Sequence, residues 1–282
     1  MDTAKGRLMR SRFLLILFFI TVLVGQPTFS KIQIAPNIDQ VRSIFAADLD
    51  GDGDLDLLTG SEGESVSWYE NDGSNNFTKE NISQSTIAYS VFAADIDNDG
   101  DMDIISPDFN NKSLNWLEND GAADPSWSKV AITNSNEVNG IYSVFVADLD
   151  SDGDLDILSA SCGDNTIAWY ENNGAANPTF TAADISTSAS CAKSVFAADM
   201  DNDGDIDVLS ASSGDDKIAW YENNGSESFT ARTISTDADD VADVFVIDLD
   251  QDGDLDVIYG ASESEKIYWG KNDGASDPSF TQ

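Results

Sequence analysis

Histidine is absent from all 282 residues. Without it, neither a Ser-His-Asp nor a Cys-His catalytic arrangement can be built, and no metal centre can be ligated by imidazole. Basic residues are scarce: 14 lysines and arginines stand against 52 aspartates and glutamates, a formal charge of −38. Counterion release from nucleic acid and attraction to anionic lipid both depend on Lys and Arg, so neither partner suits this chain. Cysteine occurs only at 162 and 191. The one marked apolar run, Phe13 to Val24, has twelve residues, short of the ~20 that a membrane-spanning helix needs. What the chain does have is 41% hydrophobic content, ample for a core, so the acidity is not that of a disordered tail.

The apolar run follows Lys5, Arg7, Arg10 and Arg12 and precedes the polar stretch Gln26 to Ser30, the layout of a secretory signal peptide. The expected division is a leader over 1–30 and a mature region over 31–282, beginning near Gln26 or Lys31, with a retained anchor as the alternative. Export predicts an extracellular or cell-surface protein without a membrane span and favours oxidation of Cys162 and Cys191.

Self-similarity dominates the rest. The segments SIFAADLDGDGDLDLL, SVFAADIDNDGDMDII, SVFVADLDSDGDLDIL, SVFAADMDNDGDIDVL and DVFVIDLDQDGDLDVI begin at residues 43, 90, 143, 194 and 243. Their spacing, close to fifty residues, is that of a propeller blade. Four β segments recur in each period. One is the apolar run before the acidic loop, such as Ser194 to Ala198, without clean alternation, as suits a strand covered on both faces. A second follows the loop, as Ile206 to Ala211, and a third carries tryptophan, as Lys217 to Tyr221. The third ends at Asn71-Asp72-Gly73, Asn119-Asp120-Gly121, Asn172-Asn173-Gly174, Asn223-Asn224-Gly225 or Asn272-Asp273-Gly274, read as corners whose residues accept positive φ. The fourth starts on an aromatic residue, as Phe229 to Ile234 or Trp127 to Ile132. The expected fold is therefore all-β: a β-propeller of five four-stranded antiparallel blades. Phe29 to Ile34 resembles a fourth strand, and the fifth copy stops where its own should begin, at Phe280. A closed five-bladed ring, which leaves no bare sheet edge, is favoured over part of a larger propeller.

Each loop reads Asp-x-Asp-x-Asp-Gly-Asp-x-Asp. The aspartates are Asp48, Asp50, Asp52, Asp54 and Asp56; Asp95, Asp97, Asp99, Asp101 and Asp103; Asp148, Asp150, Asp152, Asp154 and Asp156; Asp199, Asp201, Asp203, Asp205 and Asp207; and Asp248, Asp250, Asp252, Asp254 and Asp256. Two carboxylates 4 Å apart repel by about 4 kcal/mol at a surface-like dielectric, which a divalent cation would relieve. Oxygen-only ligands in a flexible loop suit calcium better than magnesium, zinc or copper. By analogy with other calcium loops, positions one, three and five offer side-chain oxygens, position seven a carbonyl and position nine another carboxylate, while glycine at position six makes the sharp turn. An EF-hand would carry an acid at position twelve, where this chain has Thr59, Ser106, Ser159, Ser210 and Tyr259. Up to five calcium ions are expected.

The loop between a strand ending Phe-Ala-Ala-Asp and a second apolar strand, followed by Trp-Tyr-Glu-Asn-Asn-Gly, resembles the FG-GAP and VCBS repeats over residues 31–282. The resemblance implies a calcium-binding propeller, as in integrin α heads and bacterial surface proteins and lectins. It implies side-chain ligands at positions one, three, five and nine and the carbonyl of position seven. Many members have seven blades, and the Phe-Gly and Gly-Ala-Pro signatures are absent as such.

Trp68, Trp116, Trp169, Trp220 and Trp269 recur at one strand position, which favours packing between blades over sugar stacking. Cys162, after the second strand of copy three, and Cys191, before the first strand of copy four, emerge on the same face, so a disulfide is topologically open to them. Two independent thiols are the alternative. No catalytic residue is assigned. The expected function is a secreted binding or adhesion module for an extracellular protein or glycan, with calcium mainly structural. Ligand recognition is expected on the variable links opposite the loops, such as Asp108 to Ser113, Cys162 to Thr166 and Ser213 to Lys217. The alternatives are a calcium-dependent carbohydrate-binding lectin and, further off, a polysaccharide lyase or glycosidase. Extracellular calcium modules bind with a Kd on the order of 10⁻⁴–10⁻³ M, so millimolar calcium should raise the melting temperature. Calorimetry with calcium and with chelator measures this, and an unmoved transition would contradict the calcium assignment.

Overall fold

Each copy of the repeat folds as one four-stranded antiparallel sheet with its strands paired in sequence order. The computed structural model describes residues 31, 33–35, 38–63, 65–83, 87–133 and 138–281. The leader expected over 1–30 lies outside them. Blade one is β1 (Val41–Ala47), β2 (Asp56–Ser61), β3 (Ser65–Asn71) and β4 (Phe77–Ser83). Blade two is β5 (Phe92–Ala94), β6 (Asp103–Asp108), β7 (Ser113–Asn119) and β8 (Trp127–Ala131). Blade three is β9 (Ile141–Ala147), β10 (Asp156–Ser161), β11 (Thr166–Asn172) and β12 (Phe180–Ser186). Blade four is β13 (Ala192–Ala198), β14 (Asp207–Ser212), β15 (Lys217–Asn223) and β16 (Phe229–Ser235). Blade five is β17 (Val241–Ile247), β18 (Asp256–Ala261), β19 (Lys266–Asn272) and β20 (Phe280–Thr281). The described residues contain no helix, hence none long and apolar enough to cross a membrane.

Burial runs across each blade as the sequence pattern demands. The second strands β6, β10 and β14 are buried along their whole length, which is why their residues do not alternate. The fourth strands are mostly exposed and carry charge, such as Lys79 and Glu80 or Arg232, which discourages edge-to-edge pairing.

Neighbouring blades are joined by apolar faces. Trp68 meets Trp127 of the next blade edge-on at 6.4 Å between centroids, and Trp169 and Trp220 meet Phe229 and Phe280 in the same way at 6.3 Å. Trp68, Trp116, Trp169 and Trp220 are buried, so the packing reading holds for four of the five. Along the first strands Phe45, Phe92, Phe145, Phe196 and Phe245 touch in succession.

Two hydrogen bonds recur at every junction. At the start of the first strands, Ser43, Ser90, Ser143 and Ser194 accept through Oγ from the backbone N–H of Val91, Val144, Val195 and Val244 in the following blade. At the other end, Asn119, Asn172, Asn223 and Asn272 donate from Nδ2 to the carbonyls of Leu49, Ile96, Leu149 and Met200 in the preceding blade, at 2.9–3.0 Å. The corner sequences were read as residues that accept positive φ. Gly73, Gly121, Gly174, Gly225 and Gly274 adopt it there, each strand ends on the corner's first asparagine, and Asn119, Asn172, Asn223 and Asn272 reach across the junction. Junction three to four also carries a covalent link, the Cys162–Cys191 disulfide, which closes a loop of 29 residues and is worth about 3–4 kcal/mol by loop entropy.

The ring closure favoured from the complementary chain ends is not made among the described residues. Half of Phe29–Ile34 lies outside them, and Lys31, Gln33 and Ile34 belong to no strand. The two terminal faces are solvent-exposed: Ile267 is 82% and Trp269 39% accessible on blade five, and Ile44 is 65% accessible on blade one.

Asn172→Ala should destabilise the protein by about 1–3 kcal/mol, because it strands the buried carbonyls of Ile96 and Leu155. Asn71→Ala removes a bond to Leu55 and one from the Gly73 N–H, both within its own blade, and should cost less. Urea unfolding of both variants tests the difference, and equal losses would contradict the junction role.

Candidate metal centre

The nine loop positions divide into three structural roles. At positions one, three and five, Asp48, Asp50 and Asp52 bring carboxylate oxygens within 4.8 Å of one another, as do Asp95, Asp97 and Asp99, Asp148, Asp150 and Asp152, and Asp199, Asp201 and Asp203. In the fifth loop the converging set is Asp248, Asp250 and Asp256.

The turn that gathers them is local. Gly53 donates its N–H to Asp48 Oδ2 at 3.0 Å, and Asp54 donates to Asp52 Oδ1 at 2.8 Å, a pattern that the other loops repeat. The position-six glycine has φ near +100°, from +94° at Gly53 to +101° at Gly100 and Gly253, a conformation that L side chains resist.

Position nine is buried inside the blade. Asp56, Asp103, Asp156, Asp207 and Asp256 are at most 1% accessible. In each, Oδ1 accepts from the backbone N–H of the strand-ending asparagine, and Oδ2 accepts from the residue at loop position two. Burial pushes Asp103, Asp156 and Asp207 up to about 7, against the pull of these backbone donors. The indoles of Trp116, Trp169 and Trp220 add a further downward pull, although their N–H groups fall short of hydrogen-bond geometry.

Position seven turns away. A Cβ on Gly73, Gly121, Gly174, Gly225 or Gly274 would collide with the carboxylate of Asp54, Asp101, Asp154, Asp205 or Asp254, so each of these side chains is seated against the corner glycine. Asp154 also accepts from Asn98 of the preceding loop at 2.9 Å. The side chains at position seven therefore do not join the converging carboxylates, so only the carbonyl of that residue would remain to hold a cation.

The donor set fits a hard divalent cation. It is all oxygen, and Asp48 Oδ1 and Asp201 Oδ1 are buried without a hydrogen-bond partner, a costly state that a cation would relieve. Asp50, Asp97, Asp150 and Asp201 have raised pKa values, first from desolvation and then from the neighbouring carboxylates.

A second feature was not visible as a motif. At the end of the first strands away from the loops, residues at one repeat position, Arg42, Tyr89, Tyr142, Lys193 and Ala242, line a cavity of about 690 Å³ together with the next position, Ser43, Ser90, Ser143, Ser194 and Asp243. Tyr89 and Tyr142 stack at 4.5 Å, Lys193 Nζ lies 3.5 Å from the Tyr142 ring centre, and Arg42 lies 5.6 Å from that of Tyr89. Arg42 also pairs with Glu62. Comparing the copies position by position just before the Ser-Val-Phe run would have exposed this variable set.

Fold and site together define a repeat protein of propeller blades, each with an acidic turn between its first two strands. The sequence matches the FG-GAP-like repeat over residues 48–106, 108–159, 148–210 and 199–259, and the chain belongs to that family. A search of curated proteins returns no match. Similar solved structures include an Agrocybe aegerita lectin described as recognising non-reducing terminal N-acetylglucosamine, with 21% identity, TM-score 0.55, and coverage of 85% of this chain and 64% of that one. The V. cholerae biofilm matrix protein Bap1 aligns with 19% identity and TM-score 0.51 over 89% of this chain and 40% of that one. An auxiliary nutrient binding protein from Bacteroides ovatus aligns with 8% identity and TM-score 0.57 over 84% and 61%. The chain spans less than two thirds of the length of each.

The raised carboxylates predict a pH dependence. Their folded pKa of about 7 exceeds the ordinary 3.8, so the native state binds more protons across that window. Metal-free protein should therefore lose stability as pH rises from about 4 to 7. Saturating divalent cation should flatten this slope. Thermal melts across the range measure it, and metal-free stability that rose with pH would overturn the assignment.

Proposed function

We propose that the chain is an exported binding module, stiffened by calcium in its acidic loops, that takes its ligand at the end of the blades away from those loops. The observation that carries this reading is the cavity at the start of the first strands. It gathers two tyrosines, an arginine and a lysine from four different blades of a chain otherwise poor in cations. Calcium is supported by the converging oxygen donors and the orphaned aspartate oxygens of the loops. Export is supported by the leader pattern over 1–30. The cavity joins aromatic rings to hydroxyl and charged hydrogen-bonding groups, the mixture expected of a polar ligand site.

Within this reading a glycan ligand is favoured over a protein one by the tyrosine pair and serine hydroxyls, and the Agrocybe aegerita lectin has a similar fold. No catalytic role is assigned: the carboxylate pairs recur identically in every loop, whereas acid-base catalysis needs two different environments.

A glycan array probed in calcium is expected to show binding that a Tyr89→Ala/Tyr142→Ala double variant loses by at least tenfold while keeping its melting transition. Binding retained by the double variant would move the site elsewhere. Silence across the array would remove the glycan form of the proposal.

A further inference from the structure

We propose that the fifth acidic loop is filled by the chain's own cation, the ammonium of Lys271, so that the saturated protein holds four calcium ions and not five. This rests on the calcium reading of the loops given above.

The fifth loop is intact as a motif, from Asp248 to Asp256, and counts as a site when the sequence is read alone. The change lies fifteen residues further on, in β19. Two residues after the strand tryptophan, blades one to four carry Glu70, Glu118, Glu171 and Glu222, and blade five carries Lys271. This position faces its own loop: Glu70 lies in the field of Asp50 and Asp56, and Glu171 in that of Asp150 and Asp152. In four blades it therefore adds negative charge beside the converging carboxylates. In the fifth it delivers a positive one.

Lys271 Nζ pairs with Asp250 and lies 3.1 Å from Asp252 Oδ2, engaging loop positions three and five together. The arrangement of carboxylates differs accordingly. Asp52, Asp99, Asp152 and Asp203 belong to the converging sets of their loops, whereas Asp252 does not, and buried Asp256 takes its place in the set. An ammonium offers three donors and one charge on a flexible stem, enough to relieve two carboxylates without a metal. A calcium ion entering there would have to displace both pairings and sit within a few ångströms of a like charge.

The fifth loop also lacks the brace that the others receive. Leu49, Ile96, Leu149 and Met200 are buried at loop position two, and their carbonyls are held by an asparagine of the next blade. Leu249 is exposed, and among the described residues no following blade supplies such an asparagine. An internal cation suits the loop that has least external support.

The test is calcium stoichiometry on the full chain, by native mass spectrometry at saturating calcium with isothermal titration as a second count. The expected result is four ions on the wild-type chain and five on Lys271→Glu, which restores the residue of the other blades. Lys271→Gln, which removes the cation without adding charge, should also gain an ion, and its melting temperature should rise more with calcium than that of the wild type. Five ions on the wild-type chain, or no gain in either variant, would overturn this inference alone. No ion on any form would remove the calcium reading, and this inference with it.

Discussion

A carboxylate inside an apolar blade is costly unless its oxygens are engaged, and this protein buries one in every repeat. The position-nine aspartate accepts from the backbone of the loop that precedes it and from the strand end that returns beside it. It thereby ties the first, second and third strands of its blade at one point. The asparagine on which one of those bonds depends continues across the junction to the loop of the blade before. Blade hairpin, acidic turn and blade-to-blade contact all pass through this pair. That places the converging carboxylates on a rigid base, because the loop is fixed at its second residue and its ninth.

Much of this was legible beforehand because repetition separates what the fold requires from what it tolerates. The third strand expected over Lys217 to Tyr221 is found as Lys217–Asn223, and the fourth expected from Phe229 to Ile234 is found as Phe229–Ser235. Tryptophan at a constant strand position pointed to packing, and four of the five are buried. The corner asparagine's second role was missed because local chemistry accounts for Asn before Gly equally well as a turn residue. Its reach of more than seventy positions, from Asn172 to Ile96, is invisible to a local pattern. The cavity residues were missed for the opposite reason. Arg42, Tyr89, Tyr142 and Lys193 are chemically unlike, about fifty positions apart, and related only by register. The loop motif likewise describes five equal sites, since it ends before the residue that sets the fifth apart.

The architecture is close to one-dimensional: each blade contacts its neighbours, and stability is set by a series of similar junctions. The series is not uniform. Junction three to four carries the disulfide, and Asp243 stands where the other blades place serine, accepting from Ser194 Oγ at 2.7 Å. The terminal blades each present a face that has no counterpart inside the array. Charge is distributed along the same axis of variation. Acidic turns crowd one end of the blades, and Arg42 and Lys193 stand at the other. A chain of formal charge −38 thus gathers two of its few cations at one end of the blades.

The asparagine bridges also run in one direction. Each donor belongs to the later blade and each acceptor to the earlier one, from Asn119 on Leu49 through to Asn272 on Met200. A chain that leaves the ribosome or crosses a membrane with its N-terminus first presents every acceptor before its donor exists. Each earlier blade offers a loop carbonyl that is engaged only when the next blade arrives, and each later blade finds its acceptor already made. The seams can therefore be completed in the order in which the blades are made.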